Sequence, residues 1–382
     1  MSTTYVERST KCYNCIYKSF ILLSVSVLKR ITSSLDKIYQ QGVDAYSNDR
    51  WSRCIEKLEE ALHLYKLYKS VVVNCRLRCN SEKFDSQVKE DIDDLKIFEK
   101  YFNKRDCLNK CQEKEFRGVN LNKTLDDSVL HDMQAKRPYE YLHICYFQMR
   151  MFQKAASSAF TFLSANPSDE TMKSNVKYYL EQPEVDTKEV MDMESDDYVV
   201  QYHLARKSYN QNNWAETVAS FEEVLKDYFV SENNCRVECE RQPGQEWSTE
   251  FVITISNTIA SLLHCRQQCQ DKLQSLKYNS GVEFIAEVLN YLQVAYYHLE
   301  KHDDAAQAVE TFLALMPNDE DMMENLKVYY NHVNKESFIQ RSEVIHYKKR
   351  DEYEKNLLNI FHQGNKHDVD FNSILSTYKF LK

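Results

Sequence analysis

The sequence has 382 residues and a formal net charge of −9, with only five glycines and five prolines. An all-β sandwich or barrel needs both residues at its many turns, and a Rossmann fold or P-loop needs a glycine-rich phosphate-binding turn, so these classes are disfavoured. Because 43% of the residues are hydrophobic and 12% are aromatic, the chain can bury a sizeable core. The composition predicts an all-α protein of about two or three structural units.

The N-terminal segment, residues 1–35, contains one apolar stretch, Phe20–Leu28. It is interpreted either as the core of a signal peptide, although no A-x-A cleavage site follows, or as the buried face of a first helix. No apolar run approaches the roughly 20 residues that cross a bilayer, so no membrane span is expected. The acidic net charge disfavours nucleic-acid binding, which needs a basic face to neutralise phosphates.

A helical hairpin is predicted at the start of the first half, residues 36–181. Gly42 is small enough to let two helices approach closely, and Trp51 follows the turn between them. The next positions at helical spacing are suited to packing: Cys54, Leu58 and Ala61. Trp214 matches Trp51 at an offset of 163 residues, which predicts the same hairpin in the second half.

Eight of the twelve cysteines form four C-x-x-x-C pairs: Cys75/Cys79, Cys107/Cys111, Cys235/Cys239 and Cys265/Cys269. Residues four apart lie on one face of a helix, about 6 Å apart along its axis. Two such helices packed antiparallel would set two pairs of sulfurs opposite each other. Antiparallel order therefore predicts four structural disulfides: Cys75–Cys111, Cys79–Cys107, Cys235–Cys269 and Cys239–Cys265. Each closes a loop of about 25 to 37 residues and stabilises the fold by about 3 to 4 kcal/mol.

Two alternatives to disulfides stay open for these eight cysteines. Structural zinc also uses paired cysteines, though usually on turns rather than on helices, and ordinary reduced thiols are the other possibility. Disulfides in this number would indicate an oxidising compartment. Cys54 and Cys145 fall on apolar helix faces and are predicted to be core residues, while Cys12 and Cys15 have no assigned pairing.

The clearest internal repeat aligns Tyr141–Leu180 with Tyr291–Tyr330, without a gap, at an offset of 150 residues. Both copies carry a Thr-Phe-Leu run followed by a proline that stops the helix. These features are typical of tetratricopeptide-like hairpins, in which stacked neighbours complete each other's core. Each half is therefore predicted to contain a helical hairpin, a cysteine hairpin and a second helical hairpin.

The remaining segments are predicted from their polarity. Residues 182–197 form an acidic linker between the first half and the second half, residues 198–331. Residues 332–382 are expected to form a charged, solvated C-terminal tail. A polar loop contains Asn122-Lys-Thr, a possible glycosylation site at Asn122, although a single sequon occurs by accident about as often.

No catalytic motif is supported by its context. His302-Asp303 matches part of a non-haem iron site, with His346 as a conceivable third ligand, but these iron sites need a β-scaffold. His302 instead falls in the predicted turn between two repeat helices. The sequence therefore predicts no enzyme, no catalytic residue, no metal and no cofactor, and it assigns no residues to partner binding.

The combined pattern resembles the leprecan family. The resemblance is carried by the four C-x-x-x-C pairs, by Tyr-Leu-x-x-x-Tyr hairpins at 141–147 and 291–297, and by Phe-Leu-x-x-x-Pro helix ends at 162–167 and 312–317. It covers roughly residues 36–350. Its enzymatic members are prolyl 3-hydroxylases with a C-terminal iron- and 2-oxoglutarate-dependent domain. Since this chain stops at Lys382, it is expected to be similar to the non-catalytic members.

The resemblance implies a helper or scaffold subunit of a collagen-modifying complex in the endoplasmic reticulum lumen. Its expected partners are a prolyl 3-hydroxylase, a cyclophilin-type prolyl isomerase and unfolded collagen chains. A sister role beside a collagen lysyl hydroxylase fits the same motifs. A different class, a generic tetratricopeptide adaptor or co-chaperone, fits the helical repeats and predicts reduced cysteines.

Overall fold

The computed structural model describes residues 34–82, 93–240, 251–273, 281–330, 333 and 338–363. Regular structure in these residues is entirely α-helical, so the all-α prediction is confirmed. Two compact units divide the chain, Met1–Met193 and Glu194–Lys382. None of the described helices is long and apolar enough to cross a membrane. The apolar stretch Phe20–Leu28, with Cys12 and Cys15, lies outside the described residues.

The first unit is a series of stacked helices. Its described helices are α1 (Leu35–Ser47), α2 (Trp51–Ser81), α3 (Asp93–Val119), α4 (Asp127–Gln134), α5 (Arg137–Gln148), α6 (Phe152–Ala165) and α7 (Glu170–Leu180). α1 packs on α2, α2 on α5, and α5, α6 and α7 pack in succession. Apolar side chains from α1, α2, α4, α5, α6 and α7 meet in one core, as expected for tetratricopeptide-like hairpins.

Gly42 allows the close approach of α1 and α2 that the sequence predicts. A Cβ atom at this position would lie 2.6 Å from Leu58 Cδ2 and 3.3 Å from the Leu58 backbone nitrogen. The first contact is shorter than real Cβ atoms make and the second is tight, so a larger residue would require the Leu58 side chain to move and the helices to adjust. The glycine thus fits the tight crossing of the first hairpin.

The second unit repeats this architecture. Its described helices are α8 (Asp197–Asn210), α9 (Trp214–Glu238), α10 (Phe251–Gln267), α11 (Cys269–Leu273), α12 (Gly281–His298), α13 (His302–Leu315), α14 (Glu320–Tyr329) and α15 (Ser342–Gln363). α8 packs on α9, α9 on α12, and α12, α13 and α14 pack in succession. Even the helix caps recur, because Asp169 and Asp319 accept hydrogen bonds from the third backbone nitrogen of α7 and α14 at 2.8 and 2.9 Å.

In each unit the first hairpin and the cysteine hairpin share one helix. The sequence pattern predicts successive hairpins, but α2 and α9 continue without a break from the first hairpin into the cysteine hairpin. Neither helix contains a glycine or a proline, the residues that most readily end a helix. The cysteine hairpin is thus a direct extension of the repeat core.

The segments beyond the hairpins, predicted as an acidic linker and a charged, solvated tail, carry buried side chains. Val185 and Val190 are buried in the core of the first unit, and the division between the units falls after Met193. After residue 331, α15 packs against α10 and α13 and buries Val344 and Tyr347. A solvated tail over the whole of 332–382 is therefore wrong for residues 342–363.

Candidate functional site

The first cysteine hairpin pairs the second half of α2 with α3. Sulfur atoms are joined between Cys75 and Cys111 at 2.10 Å and between Cys79 and Cys107 at 1.93 Å. The Cα atoms of the two pairs are 5.7 and 5.9 Å apart, as disulfide geometry requires. Leu108 packs beside the bridges and is 3% exposed. The partners are those that antiparallel packing of the two helices predicts.

The second cysteine hairpin has the same arrangement with an interrupted return helix. Disulfides join Cys235 to Cys269 at 2.18 Å and Cys239 to Cys265 at 2.11 Å. Gln268 separates α10 from α11, so the last bridge residue starts a new short helix. These pairings also follow antiparallel order. Two disulfide ladders therefore occupy equivalent places in the two units.

Cys54 and Cys145 form a fifth disulfide, which the sequence pattern does not predict. Their sulfur atoms are 2.06 Å apart, and the bond ties α2 to α5 in the core of the first unit. Both residues are 0% exposed, so the prediction that they are core residues agrees with their burial. Helical periodicity indicates that each faces the core, but it cannot show that the two face each other. The second unit has Thr217 and Ala295 at the equivalent positions.

A zinc site does not fit the cysteine arrangement in the described residues. One group there brings three possible ligands together: Cys79, Glu82 and Cys107. Its two sulfur atoms are bonded to each other, and zinc binds cysteine as the free thiolate. The geometry thus favours disulfides over the zinc alternative.

An ion-pair cluster connects the second cysteine hairpin to α15; it consists of Glu232, Arg236, Arg266, Arg350 and Glu354. Glu232, Arg236 and Glu354 are only 2%, 6% and 5% exposed. Arg236 donates to Glu354, and its Nη1 lies 3.3 Å from Glu232 Oε1. Arg350 donates to the other carboxylate oxygen of Glu232. Arg266 Nη1 lies 3.4 Å from Glu354 Oε1, so carboxylates and guanidinium groups alternate through the cluster.

Buried tyrosines donate to carboxylates at matching places in the two units. Tyr146 donates to Glu59 at 2.5 Å, and its counterpart Tyr296 donates to Glu222 at 2.7 Å. Burial would raise the pKa of Glu222, but the hydrogen bonds that it accepts from Arg341, at 2.6 and 2.8 Å, hold it below its usual range. Burial, with the bond to Glu59, raises the pKa of Tyr146. These bonds tie α2 to α5 and α9 to α12.

Each unit carries an aromatic cluster where its last hairpin meets the next helix. The first cluster consists of Phe147, Phe152, Tyr178 and Tyr179. The second consists of Tyr297, His298, His302 and Tyr329. In each, one tyrosine is half exposed, Tyr178 at 50% and Tyr297 at 47%, while the neighbouring tyrosine is buried. These clusters present apolar rings to solvent on a rigid base, which makes them candidate contact surfaces.

Beneath the first cluster, His143 Nδ1 lies 2.9 Å from the Tyr179 hydroxyl oxygen. His143 is 3% exposed, and burial lowers its pKa from 6.5 to about 4. Gln293 takes the equivalent place in the second unit and accepts a hydrogen bond from Tyr329 at 3.0 Å. A neutral side chain at this position is therefore enough to bond the hydroxyl group of the buried tyrosine.

We expect the pH dependence of stability to include a contribution from His143. Between pH 6.5 and about 4 the unfolded chain binds a proton on this residue and the folded chain does not. The free energy of unfolding should therefore fall as the pH falls through this window, by about 2 to 3 kcal/mol more than in a His143→Gln variant. Urea unfolding of both proteins across the window measures this difference. Parallel pH profiles would contradict the assignment.

The other residues that the sequence singles out lie apart from these features. Asn122 is exposed in the loop between α3 and α4, with Thr124 exposed beside it. His302 begins α13, as expected of a residue at an inter-helix turn, whereas His346 lies on α15. These two histidines belong to separate helices of a helical scaffold.

Comparison with known proteins places this architecture in a family. A model described as "Leprecan family TPR-like repeat region" matches residues 34–333. Cartilage-associated protein of Homo sapiens is 29% identical over 303 residues, which cover 78% of this chain and 74% of that protein. Prolyl 3-hydroxylase 1 of Gallus gallus is 28% identical over 338 residues, but the match spans only 46% of that protein.

A further relative bears on the cell compartment. "Endoplasmic reticulum protein SC65" of Homo sapiens is 26% identical over 341 residues, covering 85% of this chain and 77% of that protein. The family match covers both cysteine hairpins and all four repeat hairpins. By fold, by cysteine pairing and by sequence match over most of its length, this chain belongs to the leprecan family.

Proposed function

We propose that this chain is a non-catalytic helper subunit of a collagen prolyl 3-hydroxylation complex in the endoplasmic reticulum lumen. Its proposed partners are a prolyl 3-hydroxylase, a cyclophilin-type prolyl isomerase and unfolded collagen chains. The observation that carries the proposal is the similarity to cartilage-associated protein, which extends over 78% of this chain and 74% of that protein. The relative named as an endoplasmic reticulum protein supports the compartment.

The two aromatic clusters support contact with unfolded collagen chains. Such chains favour the polyproline II conformation, and aromatic side chains recognise it. Tyr178 and Tyr297 are 50% and 47% exposed, so both rings have free surface for a proline ring. Their neighbours Tyr179 and Tyr329 are anchored by buried hydrogen bonds, which hold the clusters rigid. We assign the collagen contact to these two half-exposed tyrosines.

Affinity capture of the tagged full chain from collagen-producing cells tests the complex. We expect a prolyl 3-hydroxylase and a cyclophilin to co-purify, and capture of a lysyl hydroxylase in their place would instead indicate the sister role. Absence of all three together with cytosolic staining would contradict the proposal and favour a generic tetratricopeptide adaptor.

Binding of the purified chain to gelatin tests the aromatic contacts. A Tyr178→Ala/Tyr297→Ala variant should bind more weakly with an unchanged unfolding transition, since both rings are half exposed. A Val230→Ala/Ile259→Ala variant, which removes apolar groups that are 51% and 45% exposed outside the clusters, is the matched control. Equal binding of gelatin by all three proteins would contradict the assignment of the collagen contact to the aromatic clusters.

The oxidising compartment has its own test. Five disulfides in the described residues account for ten of the twelve cysteines. Alkylation of the protein from its native compartment, without reductant, should therefore leave these ten cysteines unlabelled in peptide mass spectrometry. Labelling of the ladder cysteines would favour the adaptor alternative, because the cytosol keeps thiols reduced.

Asn122 should carry an N-linked glycan when the chain is expressed through the secretory pathway. The side chain is exposed in an irregular loop and Thr124 is exposed next to it, so the sequon is accessible. Peptide N-glycosidase treatment should increase the gel mobility of the protein, and an Asn122→Gln or Thr124→Ala variant should already run at the faster position. If the enzyme leaves the mobility of the secretory-pathway protein unchanged, the site is not used.

A further inference from the structure

A cleft with a basic and aromatic lining opens where α2 begins; we call it the Trp51 cleft. Its walls consist of Arg50, Trp51, Ser52, Arg53, Glu56, Lys57 and Met149, so three cations face one carboxylate, and its volume is about 550 Å³. Arg50 and Arg53 are exposed, and Met149 is 45% exposed. A cleft of this size accommodates a few side chains of a bound peptide.

The two arginines of the Trp51 cleft are free of carboxylate partners within the described residues. Lys57, by contrast, is paired with Glu56 at 3.2 Å and with Glu60 at 2.7 Å. Both arginines are exposed to solvent, so their guanidinium groups are accessible. They supply planar forks that match the geometry of a carboxylate.

The indole of Trp51 offers the apolar part of the cleft. Tyr46 contacts it edge-on, with ring centroids 6.1 Å apart and planes inclined by 72°. No ring of the described residues is stacked on its face. An exposed thioether, that of Met149, borders the same cleft and adapts readily to different apolar groups.

The second unit shows that the fold does not require these features. Its counterpart Trp214 is covered by His298, whose ring is stacked on the indole at 4.1 Å and 8°, whereas Gln148 stands at the place of His298 in the first unit. Asn213 and Glu216 replace Arg50 and Arg53, and they bond to each other at 2.6 Å. The same hairpin therefore folds with a stacked indole beside a neutral-to-acidic surface in one copy and with an unstacked indole beside a basic surface in the other.

We propose that the Trp51 cleft docks an acidic, proline-containing extended segment of a partner protein. Carboxylates of the segment bind Arg50 and Arg53, and a proline ring packs on the indole of Trp51. A short extended segment fits the cleft better than a large polyanion does. The net negative charge of the whole chain repels a large anionic partner. This inference does not depend on the collagen role, which involves the aromatic clusters instead.

Fluorescence anisotropy with the full-length chain tests the proposal. The probe is a short fluorescein-labelled peptide of alternating glutamate and proline, compared with the same peptide carrying lysine or serine in place of glutamate. We expect the glutamate peptide alone to bind. An Arg50→Asn/Arg53→Glu variant, which copies the second unit, should weaken binding by about tenfold to a hundredfold, as expected for loss of charge-assisted hydrogen bonds.

Two variants separate the cleft from a general charge effect. Lys188→Asn/Lys207→Glu makes the same change in net charge at two exposed lysines outside the cleft and should leave binding unchanged. Gln148→His should weaken binding without removing any charge, because it covers the Trp51 indole as His298 covers Trp214. Circular dichroism checks that each variant remains helical. Failure of the glutamate peptide to bind, or equal binding by the wild type and the arginine variant, would overturn the proposal.

Discussion

Replacing Cys54 by threonine and Cys145 by alanine is expected to lower the free energy of unfolding of the first unit by about 4 to 5 kcal/mol. Among the disulfides of the described residues, this one closes the longest loop, with a sequence separation of 91. A longer loop restricts the unfolded chain more, so its cross-link stabilises the folded state more. The second unit has Thr217 and Ala295 at these positions, both 0% exposed, so the substitutions are compatible with the same packing.

Hydrogen exchange resolved by peptide across a urea series reports the first unit separately from the second. A Cys79→Ala/Cys107→Ala variant is the control. Its bridge has a sequence separation of only 28, and the adjacent Cys75–Cys111 bond still closes the hairpin. We expect this control to lose clearly less stability. Equal losses in the two variants, or a loss in the second unit alone, would contradict the loop argument.

A Glu354→Ala variant is expected to destabilise the second unit by about 3 to 5 kcal/mol. The change leaves Arg236, which is 6% exposed, without the carboxylate that it contacts on α15. Arg236 then keeps only Glu232, at 3.3 Å, so it retains the cost of desolvation and loses much of the attraction that offsets it. The same substitution removes the Arg266–Glu354 contact at 3.4 Å, so α10 loses its bond to α15 as well.

Urea unfolding followed through peptides of the second unit measures this effect. A Lys226→Ala variant removes an ion pair whose side chains are 67% and 51% exposed, and it should leave the transition unchanged. A double Arg236→Leu/Glu354→Leu variant should recover part of the lost stability, because both charges are then gone. If Glu354→Ala behaves like Lys226→Ala, the cluster contributes little to the fold.

Local periodicity predicts the features whose partners lie at a fixed helical spacing. The pairing of Cys75 with Cys111 follows from the period of a helix and from antiparallel order, and Gly42 is recognised by the same reasoning. Periodicity cannot show which buried side chains meet, so it does not predict the Cys54–Cys145 bond. It also cannot tell a charged helix face that is solvated from one that is paired with a distant buried carboxylate.

Because periodicity does not separate solvated from paired charges, the sequence wrongly predicts a solvated tail at residues 342–363. Arg350 and Glu354 belong to a run rich in charged residues, Lys348–Lys355, but they face Glu232 and Arg236 across 118 residues of chain. The aromatic clusters are equally hard to predict, since the ring of Phe147 on α5 meets the ring of Tyr178 on α7 only in the stacked fold. The candidate contact surfaces thus become visible only in three dimensions.

The position of α15 in the sequence has a consequence for synthesis on the ribosome. The core and the described disulfides of the first unit involve residues up to Val190, so this unit can reach its final packing while the rest of the chain is still being translated. In the second unit, Glu232 and Arg236 contact each other within α9, but Arg350 and Glu354 join them only when residues 350 and 354 emerge. Until then the second cysteine hairpin lacks two of the groups that complete its ion-pair cluster, so the second unit reaches its final packing later in synthesis than the first.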